Sequence, residues 1–219
     1  MPIFNAGGKS DEWSKTEPLP TNDAGVLRIK GLVVSTVDKI ANKTNDLHEV
    51  EAMLSHLDEV EAITSTLKID PLTLGAVLLG GAGFDDTARA TPAEVNVWPK
   101  YLKQIHAEKE HPPWLNHLES NADEQERALA MFNATFHNAC RHRCFFSTMD
   151  GQIGIGPIRS RPGDSVVVLQ GGLFPFVLRG KQDGQSELIG YCYVHGVMDG
   201  EAVEKLDRGA VEAAIFDLI

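Results

Sequence analysis

Asp150–Asp164 reads DGQIGIGPIRSRPGD, with three glycines inside six residues, then two arginines, then Pro-Gly-Asp. A phosphate cradle needs a strand before such glycines and a helix directly after them. The helix N-terminus supplies the amides and the positive end of the dipole. Here Gly156 runs into Pro157 and Ile158, the arginines, and a β-branched run from Ser165 to Leu169. No helix signal follows, and no Gly-Lys-Ser/Thr closes the loop. The stretch is therefore predicted to be a hairpin bend, its glycines serving positive φ and close strand approach.

Downstream of that bend the pattern repeats. CFFST, QIGIG, SVVVLQ, FPFVLRG and ELIGYCYVH are short β-branched or aromatic runs separated by DG, RPGD, GG and QDGQ. Short strands with turn signals at this spacing predict an antiparallel meander over residues 144–200, curling toward a small barrel. Val203, Leu206, Ala210, Ala214, Ile215 and Leu218 then predict a closing helix over 201–219.

Upstream the period changes. Residues 1–25 read as an irregular, wrapping lead-in. VLRIKGLVVSTVDKI, from Val26, is a strand with one wet face that turns apolar near Val33 and Val34. Leu47, Val50, Leu54, Leu57, Val60 and Ile63 recur every three or four residues and predict an amphipathic helix, with Asp46 and Glu49 as a capping box. DPLTLGAVLLGGAGF predicts a second, more buried helix closed by Gly80 and Gly81. Pro99 forces a new helix to start near Trp98. A further helix is expected from Asn121, as cap, to Arg143, with Leu129, Phe132, Phe136 and Cys140 as its stripe. The expectation is one α+β domain over 1–219: the lead-in, a strand plus helices over 26–143, the meander and the closing helix.

The bulk numbers narrow the function. The formal net charge of -11 over 219 residues opposes nucleic acid and anionic membranes, both of which want a positive footprint. No apolar run approaches the roughly 20 residues that span a bilayer, and no secretory signal opens the chain. Cys140, Cys144 and Cys192 are too few for a disulfide framework, so a cytoplasmic setting is expected. CRHRC lacks further ligands at metal spacing, and His106, His111 and His117 around Pro112-Pro113-Trp114 match no zinc pattern. Asp85-Asp86 reads as a cap or a metal ligand. No cofactor is expected.

GYCYVHGVMDGE, Gly190–Glu201, carries more. Strand alternation puts Tyr191, Tyr193 and His195 on one face and Cys192 and Val194 on the other. Polar-tipped rings on one face need partners, and Asp199 follows within reach of a turn, so His195 beside a carboxylate fits a general base. Equally, His195 and Asp199 fit a structural role bonding the Gly196–Gly200 turn.

RHRCFFSTMDGQIGIGP, RPGDSVVVLQGGLFPFVLR and LIGYCYVHGVMDGE together resemble the C-terminal region of fungal heterokaryon incompatibility (HET-domain) proteins, densely from Arg141 to Glu201. FNAGGKSDEW is similar to the junction that follows the HET domain. The resemblance implies a fungal source and a shared fold. The family's cell-death activity is attributed to the HET domain, which is expected to be absent here because the chain starts with its own methionine where that domain would end.

Two readings stay open. The first is a cofactor-independent enzyme, a cyclase, pericyclase of Diels–Alder type or isomerase, acting on a polyketide or terpenoid in an apolar pocket. His195, Tyr193, Tyr191 and Asp199 would be catalytic, Arg179 an anchor, and Trp114, Phe174 and Phe176 apolar walls. The second is a non-enzymatic interaction or regulatory module derived from an incompatibility protein, binding through an apolar patch or sheet edge. A solvent-reached cavity favours the first, a filled barrel with an apolar outer patch the second.

Overall fold

The computed structural model describes residues 4–8, 13–21, 23–41, 50–85, 88–107 and 122–219 and is of the mixed α+β class. Contacts gather into two compact units, one of residues 1–40 with 146–219 and one of residues 41–145.

The helical unit holds α1 (Val50–Leu67), α2 (Pro71–Leu78), α3 (Pro92–Val95), α4 (Trp98–Ala107) and α5 (Glu124–Cys140). Asp70 caps α2 by accepting from the Leu72 and Thr73 amides, and Pro99 sits in the first turn of α4 where its missing N–H is harmless. Leu57, Val60 and Ile63 of the α1 stripe are buried as expected, Leu54 is only half-buried, and Met53 and His56 join the buried face. Its proposed Asp46–Glu49 cap lies outside the described residues. The start of α5 also differs, for Asp123 is the N-cap and Glu126 completes the capping box. Asn121 lies outside the described residues. Leu129, Phe132, Phe136 and Cys140 are buried as the spacing requires.

The sheet unit begins with β1 (Leu27–Ile40), and β2 (Arg143–Thr148) carries the chain back from the helices. β3 (Ile153–Pro157), β4 (Ser165–Leu169), β5 (Phe176–Gly180), β6 (Ser186–Tyr191) and β7 (Tyr193–Val194) follow, then α6 (Glu201–Asp207) and β8 (Ala214–Leu218). Strand order is β4-β5-β6-β8-β1-β2-β3-β7, and a further β1–β4 pairing closes β1, β4, β5, β6 and β8 into a ring of five. β1 serves three partners along its length: Leu27–Gly31 pairs with β8, Gly31–Thr36 with β4 and Val37–Ile40 with β2. Register shifts between Val33 and Ser35, and again between Val37 and Lys39, bend it from one partner to the next.

The ring is filled by side chains. Ile29 of β1, Val167 and Leu169 of β4, Phe176 and Leu178 of β5, and Phe216 and Leu218 of β8 form one cluster drawn from four of its strands. Gly31 is there because a Cβ would strike Val167 and Phe216, each within 3 Å. Val166 and Val168 point the other way, into a second cluster with Leu32, Phe146, Val177, Cys192 and Val194. β4 is thus buried on both faces, which explains its unbroken apolar run. The lead-in does wrap, for Ala6 and Trp13 join this second cluster. The glycine stretch is the hairpin expected: Gly151 turns at φ 78°, and a Cβ on Gly156 would meet the Phe146 ring at 2.9 Å.

Within the predicted meander β3–β7, β4–β5 and β5–β6 all pair antiparallel, and the parallel pair Ser186–Leu218 joins β6 to β8 beyond it. One expectation needs correction. The closing helix ends at Asp207 rather than running to 219. Gly209 takes φ 68°, its amide donates to the Leu206 carbonyl, and the Ala210 amide donates to the Lys205 carbonyl. That left-handed stop ends a helix whatever periodicity follows. The remaining AIFDL then pairs with β1 as a strand.

Candidate functional site

The structure gathers Tyr191, Tyr193, His195 and Phe174 onto one surface of the sheet unit. The strand predicted through them breaks at Cys192: Tyr191 ends β6 opposite Phe176, while Tyr193 starts β7 opposite Ile155. Alternation survives the change of partner. Cys192 and Val194 are buried, Tyr193 is half-buried, and Tyr191 and His195 are exposed. The rings form a chain. Tyr191 meets Phe174 at 5.4 Å between centroids, Phe174 meets Phe4 at 5.7 Å, and Phe4 meets Tyr193 at 5.6 Å, all tilted or edge-on as aromatic quadrupoles prefer. The Tyr193 hydroxyl then lies 3.3 Å from His195 Nδ1. Tyr191 keeps 53% of its surface and the neighbouring Leu173 keeps 43%.

Backbone bonds hold this surface firmly. The His195 amide donates to Ile153, the Cys192 amide to Pro175, and the Ala6 amide to Leu173. The Asn5 amide donates to Met198, which seats Phe4 between the two aromatic motifs. Asp199 is exposed, and its amide donates to the Glu201 carboxylate at the start of α6.

The other predicted site residues lie elsewhere. Phe176 points into the ring cluster rather than beside Phe174. Arg179 spends its guanidinium on Asp164, with Nε and Nη2 each 2.8 Å from a carboxylate oxygen, and Nη2 also donates to the Arg159 carbonyl. Asp164 is 3% exposed, so this is a two-pronged lock on the Arg-Pro-Gly-Asp turn, and the bond to Asp164 holds the guanidinium above its ordinary pKa. Trp114, His111, His117 and Asp86 lie outside the described residues. Asp85 accepts from the Ala88 amide. All three cysteines are buried and in no disulfide, and burial pushes the Cys140 thiol up to about 12.

Phe4 and Leu173 belong to the aromatic surface and were missed. Neither carried a signal in the sequence, because Phe4 reaches the site from the far end of the chain. A separate open groove of about 800 Å³ lies in the helical unit between α3–α4 and the start of α5, lined by Val97, Pro99, Lys100, Gln125 and Leu129 among others. None of the predicted catalytic residues lines it. No helix among the described residues is long and apolar enough to cross a membrane.

The comparisons with known proteins agree with the motif order. The chain is 32% identical over 109 residues to a protein of Neurospora crassa named heterokaryon incompatibility protein 6, OR allele, a match covering 43% of this chain and 16% of that relative. No solved structure matches. The family model described as the Het-6 beta-barrel domain matches residues 83–211, more than half of the sequence. The chain belongs to the Het-6 beta-barrel domain family.

Proposed function

We propose that this chain is a non-enzymatic interaction or regulatory module of the heterokaryon incompatibility type, which engages a partner protein through the surface from Tyr191 to His195. The observation that carries this reading is a pairing of opposites. The ring interior, where a cyclase would need a shaped cavity, is occupied by Val167, Leu169, Leu178 and their neighbours. Tyr191, Tyr193 and Phe174, which such a site would use, stand outside the ring and partly wet, while Phe176 packs into its filled interior. Rigid tyrosines with exposed faces are what protein interfaces are enriched in. The name of the Neurospora relative supports the same class.

The alternative is a cofactor-free cyclase or isomerase of polyketide or terpenoid metabolism. Its substrate would have to sit on an open surface, or in the helical groove far in sequence from His195.

Photo-crosslinking in the native host separates the two. Wild type should give defined protein adducts that the Leu173→Asp/Tyr191→Asp double variant loses while its melting temperature stays near wild type. Identical adducts from both proteins would overturn the docking surface. A small molecule recovered with wild type by mass spectrometry, and converted on incubation, would restore the enzyme reading.

A further inference from the structure

The helical unit carries a cluster that the interaction reading does not use. Asp58 and Glu61 stand one turn apart on α1, three residues being the spacing that stacks side chains on one face. His106 comes to them from the last turn of α4, which packs against α1. One ligand atom from each of the three lies within 4.8 Å of the others, and His106 Nε2 is 4.0 Å from Asp58 Oδ1. Among the described residues the Glu61 carboxylate has no other ion pair or side-chain hydrogen bond. Two carboxylates one turn apart on a helix repel each other.

We propose that Asp58, Glu61 and His106 form a binding site for a divalent transition ion of the zinc class. The donor set decides the class, for imidazole nitrogen with carboxylate oxygens suits zinc and its neighbours, while magnesium and calcium prefer oxygen alone. The geometry needs little change. Zinc bonds of about 2.0–2.2 Å place ligand atoms about 3–3.5 Å apart. The side chains must close by roughly 1 Å, and Asp58 and His106 are exposed enough to do so by rotamer adjustment. Three protein ligands leave a fourth position for water. The bound ion would tie α1 to α4 more tightly than an exposed His–Asp pair can.

Titration of the purified full chain with zinc chloride against a competing chromophoric chelator tests this. One site of low-micromolar affinity is expected, unaffected by millimolar magnesium. His106→Gln and Asp58→Asn should each weaken it by about tenfold or more. His195→Gln should leave it unchanged. Zinc should raise the melting temperature of wild type but not of His106→Gln, and the two proteins should melt alike without metal. Equal affinity in wild type and His106→Gln, or no binding at about 100 µM zinc, far above a low-micromolar dissociation constant, overturns the site.

Discussion

Trp98, Tyr101, Phe132 and Phe136 in the helical unit, and Phe4, Phe174, Tyr191 and Tyr193 in the sheet unit, are sets of rings drawn from almost the same residue types. In the first set every ring is buried, Trp98 and Phe132 stack at 6.0 Å, and the Tyr101 hydroxyl donates to Asn133 Oδ1 at 2.6 Å. In the second only Phe4 is buried, and Tyr191 is more than half exposed. The difference teaches where apolar area is spent on stability. A ring sealed on all sides contributes its full transfer free energy, whereas a ring left half wet contributes little and remains available to a partner. Three changes can break or sharpen that contrast.

The largest effect belongs to Phe132, which touches Trp98, Tyr101 and Phe84 together. Phe132→Ala removes a fully buried ring and leaves a cavity, so it should cost about 3–5 kcal/mol. Denaturant unfolding of the variant measures it. A cost below about 1 kcal/mol would mean that the helical core collapses onto the gap and that its aromatics are no more committed than those outside.

Tyr101→Phe is milder and adds a pH signature. It leaves Asn133 Oδ1 without its donor, at a cost of about 1–2 kcal/mol at neutral pH. Burial, with a smaller contribution from Cys140, holds the Tyr101 phenol well above its ordinary value. A group whose folded pKa is raised contributes stability that is present below its unfolded pKa, about 10, and lost as pH rises through the folded value. Wild type should therefore lose stability more steeply than Tyr101→Phe between about pH 9 and pH 11, read as the shift in urea midpoint. Equal slopes would show that the phenol ionises without resistance, and hence that it is not sealed.

The helical core was legible in the sequence because Leu129, Phe132, Phe136 and Cys140 repeat at helical spacing and nothing in α5 interrupts them. The hairpin at Gly151–Gly156 was legible for an equally local reason, since Pro157 and the β-branched run excluded a helix. Periodicity failed where a single backbone device overrode it. Val203 to Leu218 keeps a helical count, but Gly209 adopts a left-handed turn and the tail becomes β8. The register shifts in β1 were equally invisible, because a bulge moves side chains between faces without any change in residue type. Alternation did place Tyr191, Tyr193 and His195 together. It could not supply Phe4, brought in by the Asn5–Met198 backbone bond, nor Asp164, which claims Arg179 from fifteen residues away. Pairings between distant segments leave no local trace in either partner.

Tyr191→Ala should have the smallest effect on stability, and that smallness is its value. The ring meets Phe174 and keeps 53% of its surface exposed, so its loss should change stability by no more than about 0.5 kcal/mol, with melting temperature near wild type. Truncating a ring at the centre of an interface commonly costs about 2 kcal/mol or more in binding, so partner capture should fall by more than tenfold over the same change. The two numbers are independent, and their divergence is the point. If Tyr191→Ala were to destabilise the protein as Phe132→Ala does, the exposed rings would be the margin of a core rather than a surface held ready. The contrast between the two aromatic sets would then be one of degree, and binding losses in any patch variant would only report unfolding.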